Sequence, residues 1–282
     1  MSTHYVIGHL GEVGGSLYSL FVDAGESVVG IDIGENELSM KDDKRIGNSL
    51  LTPDFMHICF PYSLDFVRAV NNYIIEYANE STQVIIHSTV QPFTTSKIYE
   101  MYEKVGYSPV RGVHPNLEKD LKKFPKFYAS PRKDNVSAVK EMYRRVGMKC
   151  IDSVDTTTLE FAKLINTVFY GAIIGITQDV LLMSHHFNLN PKTIYDFVKS
   201  TGDRTLMPYA QKIGGHCVTP NAEILESFLS TTAGFVLQSN ELFEETFNDE
   251  KVGFRHINTK DFKDPYFPKV DIKSARKWEE EE

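Results

Sequence analysis

Two β-branched runs, Tyr5-Val6-Ile7 and Ser27-Val28-Val29, flank the segment GHLGEVGGSLYSLFVDAG, and no other stretch constrains the fold as strongly. Beyond Gly14 the apolar residues Leu17, Leu20, Phe21 and Ala24 recur at helical spacing, and Gly25 is a stop signal. The run SVVGIDI at 27–33 is apolar without alternation, as expected of a parallel strand buried on both faces. Strand, turn, helix and strand in that order place two parallel strands on either side of a helical crossover.

The alternation continues down the chain. FMHICF at 55–60, QVIIHSTV at 83–90, SPVRGV at 108–113, FYAS at 127–130 and KCIDS at 149–153 read as strands. LDFVRAVNNYIIEYANE at 64–80, TTSKIYEMYEKVG at 94–106 and NVSAVKEMYRRVG at 135–147 read as helices. This predicts an α/β fold with a Rossmann-like, mostly parallel sheet carrying helices on both faces over residues 1–154.

From Thr156 the pattern is helical for about thirty residues without a proline, and Gly171 and Gly175 fall inside that stretch. Further helices are expected at 191–200, opened by Pro191, and at 221–247. The second domain, 155–250, is therefore expected to be nearly all helical around one long central helix. A tail at 251–282, rich in Lys, Asp and Pro, shows weak periodicity and is expected to pack loosely or against a neighbour.

Composition excludes several classes. The 282 residues carry 30 Lys and Arg against 38 Asp and Glu, a formal net charge of −8, which disfavours a broad grip on nucleic acid. A small-molecule substrate, including an anionic one met by local positive charge, remains compatible. No run is expected to reach the roughly 20 apolar residues that cross a bilayer, and the amino terminus lacks the pattern of a secretory signal. A cytoplasmic location follows as the default. Cys59, Cys150 and Cys217 are far apart and form no CxxC, so neither a disulfide framework nor a metal site is expected.

The glycine turn suits a dinucleotide. Gly11 lets backbone approach a pyrophosphate, Gly14 lets helix and strand pack closely, and the amides around Gly8, His9, Leu10, Gly11, Glu12 and Val13 lie at a helix N-terminus. His9, where a tight turn favours glycine, is expected to reshape or weaken the site. Asp32, at the end of the second strand, is placed to accept from a ribose diol and favours NAD over NADP. The strand ends FPYS and HSTVQP border the same crevice, which makes Pro61, Ser88 and Thr89 candidates for cofactor contact, with helix capping as the plainer reading of the last two.

GEVG with VVGID, MHICFP, HSTVQP, LEFAKLINTVFYG and GGHCVTPN together resemble the UDP-glucose and GDP-mannose dehydrogenase family, itself similar to 6-phosphogluconate dehydrogenases. The resemblance runs from about residue 3 to 245. It implies an NAD-binding first domain, a helical second domain that makes a homodimer, and oxidation of an alcohol. Cys217 is implied as the nucleophile that traps the aldehyde as a thiohemiacetal and then holds a thioester. Lys163 and Glu160 match the long-helix motif, with Lys163 as oxyanion partner or acid and base. Three positions depart from the family: His9 stands where its turn has Gly, Thr167 where it has Asn, and Asn221 where it has Asp. The family's third domain, which holds the nucleotide, is not expected in the roughly thirty-five residues after 247.

Other side chains are weighed against plainer roles. His216 adjoins Cys217, His114 lies in an HPN turn, Arg204 would suit an anion, and His185 and His186 end the long helix; capping, surface placement or a loop ion pair accounts for each as simply. KDDKR at 41–45 and EKDLKK at 118–123 read as solvated charge runs. Four readings stay open: covalent four-electron oxidation, a two-electron hydroxyacid-type dehydrogenase that keeps Lys163 without using Cys217, a non-catalytic NAD-binding protein that retains the fold, and a subunit that borrows its substrate domain from a partner chain.

Overall fold

The computed structural model describes residues 1–32, 52–112, 116–202, 206–207, 209–214, 217–228, 230–248 and 251–253. The chain forms two compact units, Met1–Ile165 and Asn166–Glu282.

Five strands of the first unit make one parallel sheet: β1 (Thr3–Ile7), β2 (Ser27–Ile31), β3 (Phe55–Ile58), β4 (Gln83–Ile86) and β5 (Val105–Tyr107), in the order β2-β1-β3-β4-β5. Five helices connect or flank them: α1 (Glu12–Asp23), α2 (Phe66–Tyr77), α3 (Thr94–Tyr99), α4 (Leu117–Lys123) and α5 (Lys133–Arg145). Side chains alternate across a strand, so β1 to β4 each feed two cores. Tyr5, Ile7, Met56, Ile58, Val84 and Ile86 share one with Phe66, Val70 and Ile74 of α2 and Ile98 of α3. Val6, Val28, Phe55 and Ile85 share the other with Leu17 and Phe21 of α1 and Val139, Met142 and Tyr143 of α5. Each such Leu or Phe contributes about 2 kcal/mol by burial, and burial on both faces explains why these strands carry continuous apolar runs.

The sequence reading needs correction at three places in this unit. β5 lies at Val105–Tyr107 rather than at 108–113: Ser108 N–H still donates to Ile86 O at 2.9 Å, but Pro109 has no N–H and the ladder ends. The helix expected over 94–106 accordingly stops at Tyr99. β6 (Lys126–Tyr128) and β7 (Cys150–Asp152) form a separate parallel pair, tied to the edge of the main sheet by an antiparallel bridge between Tyr107 and Ala129.

The long helix is present as α6 (Thr156–Phe187), uninterrupted at its glycines. A Cβ on Gly171 would lie 2.6 Å from Val218 Cγ1, so glycine there admits a neighbouring helix. α6 also corrects the expectation about apolar runs: a stretch of it reaches a mean hydropathy of 1.4, long and apolar enough by composition to cross a membrane. One such helix is weak evidence, since core helices of soluble proteins have the same character.

α7 (Pro191–Lys199) begins on Pro191, and Asn190 caps it by accepting the Thr193 N–H at 3.1 Å. The helix expected over 221–247 is two helices, α8 (Val218–Glu226) and α9 (Thr231–Phe247), because Ser230 starts a new one by accepting the Ala233 N–H at 3.2 Å. Leu181, Leu182, Phe243 and Phe247 form a core between α6 and α9. A short antiparallel pair, β8 (Tyr209–Ala210) with β9 (Val252–Gly253), adds a sheet element that two residues per strand are too few to announce by periodicity. The tail from 254 and the charge run at 41–45 lie outside the described residues.

Candidate functional site

β2 lies on one side of β1 and β3 on the other, so the chain changes direction across the sheet between β1 and β3. Open parallel sheets bind ligands beyond the carboxyl ends of their strands at such a point. Gly8 occupies it with φ +88°, donating its N–H to Ile31 O at 2.8 Å, and a Cβ there would lie 2.9 Å from Phe60 N. Gly14 sits in the first turn of α1, where a Cβ would be 2.0 Å from Gly8 O. No side chain caps α1 at Gly11, so the helix presents its backbone N–H end and positive dipole towards the turn.

His9 is buried, and the structure shows how its bulk is absorbed. A Cβ on Gly30 would lie 2.4 Å from His9 Cδ2, and the imidazole centroid is 5.7 Å from that of Tyr18. A residue lost from the turn as glycine is compensated by a glycine in β2. Asp32 follows β2, and its Oδ2 accepts the N–H of exposed Leu10 at 3.0 Å. The carboxylate therefore fixes the turn.

Ser88 donates its hydroxyl to Phe60 O at 2.6 Å, tying the carboxyl ends of β3 and β4 together; it does not cap α3, which begins at Thr94. Thr89 is half-buried and Pro61 exposed. Glu160 is fully buried, with Oε2 accepting the Phe93 N–H at 2.7 Å and Oε1 accepting the Thr95 N–H at 2.8 Å and hydroxyl at 2.6 Å. Burial raises its carboxyl above the usual range, opposed by those bonds. It positions the backbone at the start of α3. Lys163 lies one turn further along α6, half-buried.

Sequence reasoning missed Lys126. Its Nζ donates to Ser108 O and Pro109 O, each at 2.9 Å, beyond the carboxyl end of β5, and burial brings its ammonium down to about 7. Lys163 and Arg111 are among the charges that act on it. Nothing in FPKFYAS marks a lysine as buried, since long charged side chains usually reach solvent.

In the second unit Cys217 is exposed and stands at the N-cap of α8. Its carbonyl accepts the Asn221 N–H at 3.2 Å, and Asn221 is buried on the same helix face. Thr167 is buried on α6. His185 meets the Phe247 ring edge-on at 5.6 Å, a packing role. His114, Arg204 and His216 lie outside the described residues. Among the described residues no group of three His, Cys, Asp or Glu side chains is placed to hold a metal ion.

No protein-family model matches the chain. Among curated proteins, the UDP-N-acetyl-D-mannosamine dehydrogenase of Methanococcus vannielii is 25% identical over 254 residues, 76% of this chain and 58% of that protein. The same-named protein of Methanocaldococcus jannaschii is 22% identical over 252 residues, 76% of this chain and 59% of that protein. The chain thus spans less than two thirds of the length of these relatives. Among solved structures, the Pyrococcus horikoshii UDP-D-ManNAc dehydrogenase matches with a TM-score of 0.73 and 18% identity over 86% of this chain and 69% of its own. A Mycobacterium tuberculosis 3-hydroxyisobutyrate dehydrogenase matches with a TM-score of 0.63 and 14% identity over 91% of this chain and 97% of its own. The resemblance to the nucleotide-sugar dehydrogenases and the Rossmann-like fold with its helical second part are both borne out.

Proposed function

We propose that this chain, related in sequence to UDP-sugar dehydrogenases over 76% of its length, is an NAD-dependent oxidoreductase acting on the CH–OH group of a nucleotide sugar. The observation that carries the reading is the turn in which Gly14 leaves no room for a Cβ against Gly8 O, set at the N-terminus of α1 with Asp32 bonded across it. Such a turn fits a pyrophosphate on the backbone of Gly11, Glu12 and Val13, with Asp32 accepting from the ribose diol. NAD, when bound, supplies the hydride acceptor.

The residues of the chain divide the remaining work. Lys163 balances the developing alkoxide and takes or returns its proton. In the covalent route the Cys217 sulfur adds to the aldehyde carbon as the carbonyl oxygen gains a proton, and loss of a second hydride together with that hydroxyl proton leaves a thioester that water cleaves to acid and thiol. Asn221, which is neutral, orients that water without taking its proton. Glu160 holds the backbone of residues 93–95 in place. Three free cysteines suit a reducing cytoplasm, and the exposed apolar side chains Phe169, Tyr170, Ile176 and Met183 along α6 support a homodimer.

A second reading, a two-electron hydroxyacid-type dehydrogenase without covalent catalysis, draws support from the fold match to 97% of the 3-hydroxyisobutyrate dehydrogenase. Counting NADH formed from UDP-N-acetyl-D-mannosamine and NAD+ decides between them. Two NADH per sugar supports the covalent route and one supports the second reading. NAD binding without turnover of any nucleotide sugar or hydroxyacid would overturn both in favour of a non-catalytic NAD-binding protein.

A further inference from the structure

Four side chains of α6 and α9 hold the segment that leads into α8. Met207 N–H donates to Thr177 Oγ1 at 3.1 Å, Gln178 Nε2 donates to Gln211 O at 3.0 Å, and Lys212 Nζ pairs with the Glu244 carboxylate. Ile213 is held twice by one carboxamide. Its N–H donates to Asn240 Oδ1 at 2.5 Å, and its O accepts from Asn240 Nδ2 at 3.1 Å. Asn240 thus pairs with Ile213 as a neighbouring strand would, with a side chain in place of backbone.

Helix packing brings this carboxamide within reach. Gly171, Gly175 and Gln178 are spaced by four and three residues and so share one face of α6. A Cβ on Gly171 would lie 2.6 Å from Val218 Cγ1 and 3.1 Å from Val236 Cγ1, and one on Gly175 would lie 3.0 Å from Phe235 Cε1. The two glycines let α9 approach closely enough for Gln178 Nε2 to donate to Asn240 Oδ1 at 3.2 Å as well as to Gln211 O. Both carboxamides are buried. The partners also fix which way Asn240 faces, because Ile213 N–H requires an acceptor and Ile213 O a donor.

The hold extends to the turn that carries Cys217. Ile213 O also accepts the Thr219 hydroxyl at 3.3 Å, from the first turn of α8. Val218, next to Cys217, is buried against Gly171. The two residues that follow the thiol are therefore anchored, one on α6 and one on the residue that Asn240 grips, while Cys217 itself is exposed.

We propose that Asn240 is a positioning residue: by clamping Ile213 and, through Ile213 O, Thr219, it sets the first turn of α8 and with it the Cys217 sulfur. A leucine would fill much the same space between α6 and α9 without gripping Ile213. Use of the clamp in catalysis rests on the covalent reading proposed above; the clamp itself does not. A reacting group misplaced by about 1 Å loses on the order of 100-fold in rate, so the step that needs the sulfur is the one that depends on the clamp.

Hydrogen exchange in the full chain, without substrate, tests the clamp. Asn240→Leu should speed exchange about 10-fold at the amides of Ile213 and Asn221, and less at Leu182 and Phe243 in the core between α6 and α9. Thr219→Val, which leaves both carboxamides in place, should speed exchange at Asn221 and spare Ile213. Unchanged exchange at Ile213 and Asn221, or equal acceleration at all four amides, would overturn the proposal. Should Asn240→Leu not fold, unaltered exchange at Asn221 in Thr219→Val would overturn it alone. Turnover of UDP-N-acetyl-D-mannosamine with NAD+ tests the use of the clamp: in both variants the second NADH should form about 10-fold to 100-fold more slowly relative to the first. Equal loss of both steps would reduce Asn240 to a structural role and overturn the proposal. One NADH per sugar in the unaltered chain would defeat the covalent reading instead, and the exchange rates would still decide the clamp.

Discussion

The Glu160 carboxylate accepts the Phe93 N–H at 2.7 Å while Phe93 holds φ +73°, a left-handed conformation that side chains rarely adopt. Three donors converge on this one buried carboxylate, which joins α6 to the start of α3. Glu160→Ala strands all three and should cost about 3 kcal/mol or more in urea unfolding. Phe93→Gly, which relaxes the backbone, should return about 1 kcal/mol of that loss in the double variant. A loss well under 1 kcal/mol for Glu160→Ala would show that the bonds carry little of the local stability.

His9 and Gly30 occupy one space. Gly30→Val should destabilise by about 3 kcal/mol, since its first added carbon already meets the imidazole. His9→Gly in the same chain should recover part of that, although alone it leaves a cavity costing about 1–3 kcal/mol. Thermal unfolding of the two single variants and the pair measures the coupling, and strict additivity would refute it.

Acidification should unfold the first unit through its buried imidazoles. His4 is lowered to about 3 from the 6.5 of an exposed histidine, so its contribution is complete above 6.5 and is lost as pH falls towards 3. His57 and His87 shift in the same direction. Lys126 contributes fully above 10.5 and progressively less down to about 7, because the buried ammonium is the costly form. Stability measured against pH should therefore rise from the acid side and continue rising through the neutral to alkaline range, with His57→Phe flattening the acid limb. A maximum at acid pH would contradict these shifts.

On the covalent route proposed for this chain, Cys217→Ser should leave NAD binding unchanged and abolish acid formation, because a hydroxyl does not replace the thiol as nucleophile and leaving group. Product analysis by mass spectrometry reads the outcome. Undiminished acid would assign the chemistry elsewhere.

The β1-α1-β2 unit and the long α6 were legible because each rests on local periodicity and on glycines with a definite role. Other features depend on contacts distant in sequence. Thr95 and Glu160 are 65 residues apart, and the compensation of His9 by Gly30 requires the packed β1-α1-β2 unit to be known. The alignment of His4, His57 and His87, with ring nitrogens 3.0 Å apart, was illegible for a related reason: the first two sit singly in β1 and β3, the third just past β4, and parallel register aligns them. β5 was displaced towards the apolar SPVRGV, where Pro109 in fact ends pairing. The break between α8 and α9 hung on a single serine cap inside a helical pattern.

Calorimetric titration of NAD+ into the full chain and into its Asp32→Ala variant tests the central claim most directly. The account predicts one NAD+ bound per chain, with affinity about 10-fold to 100-fold weaker in the variant from loss of charge-assisted bonds to the ribose. Absence of binding to the unaltered chain, or equal affinity in a variant that remains folded, would contradict it.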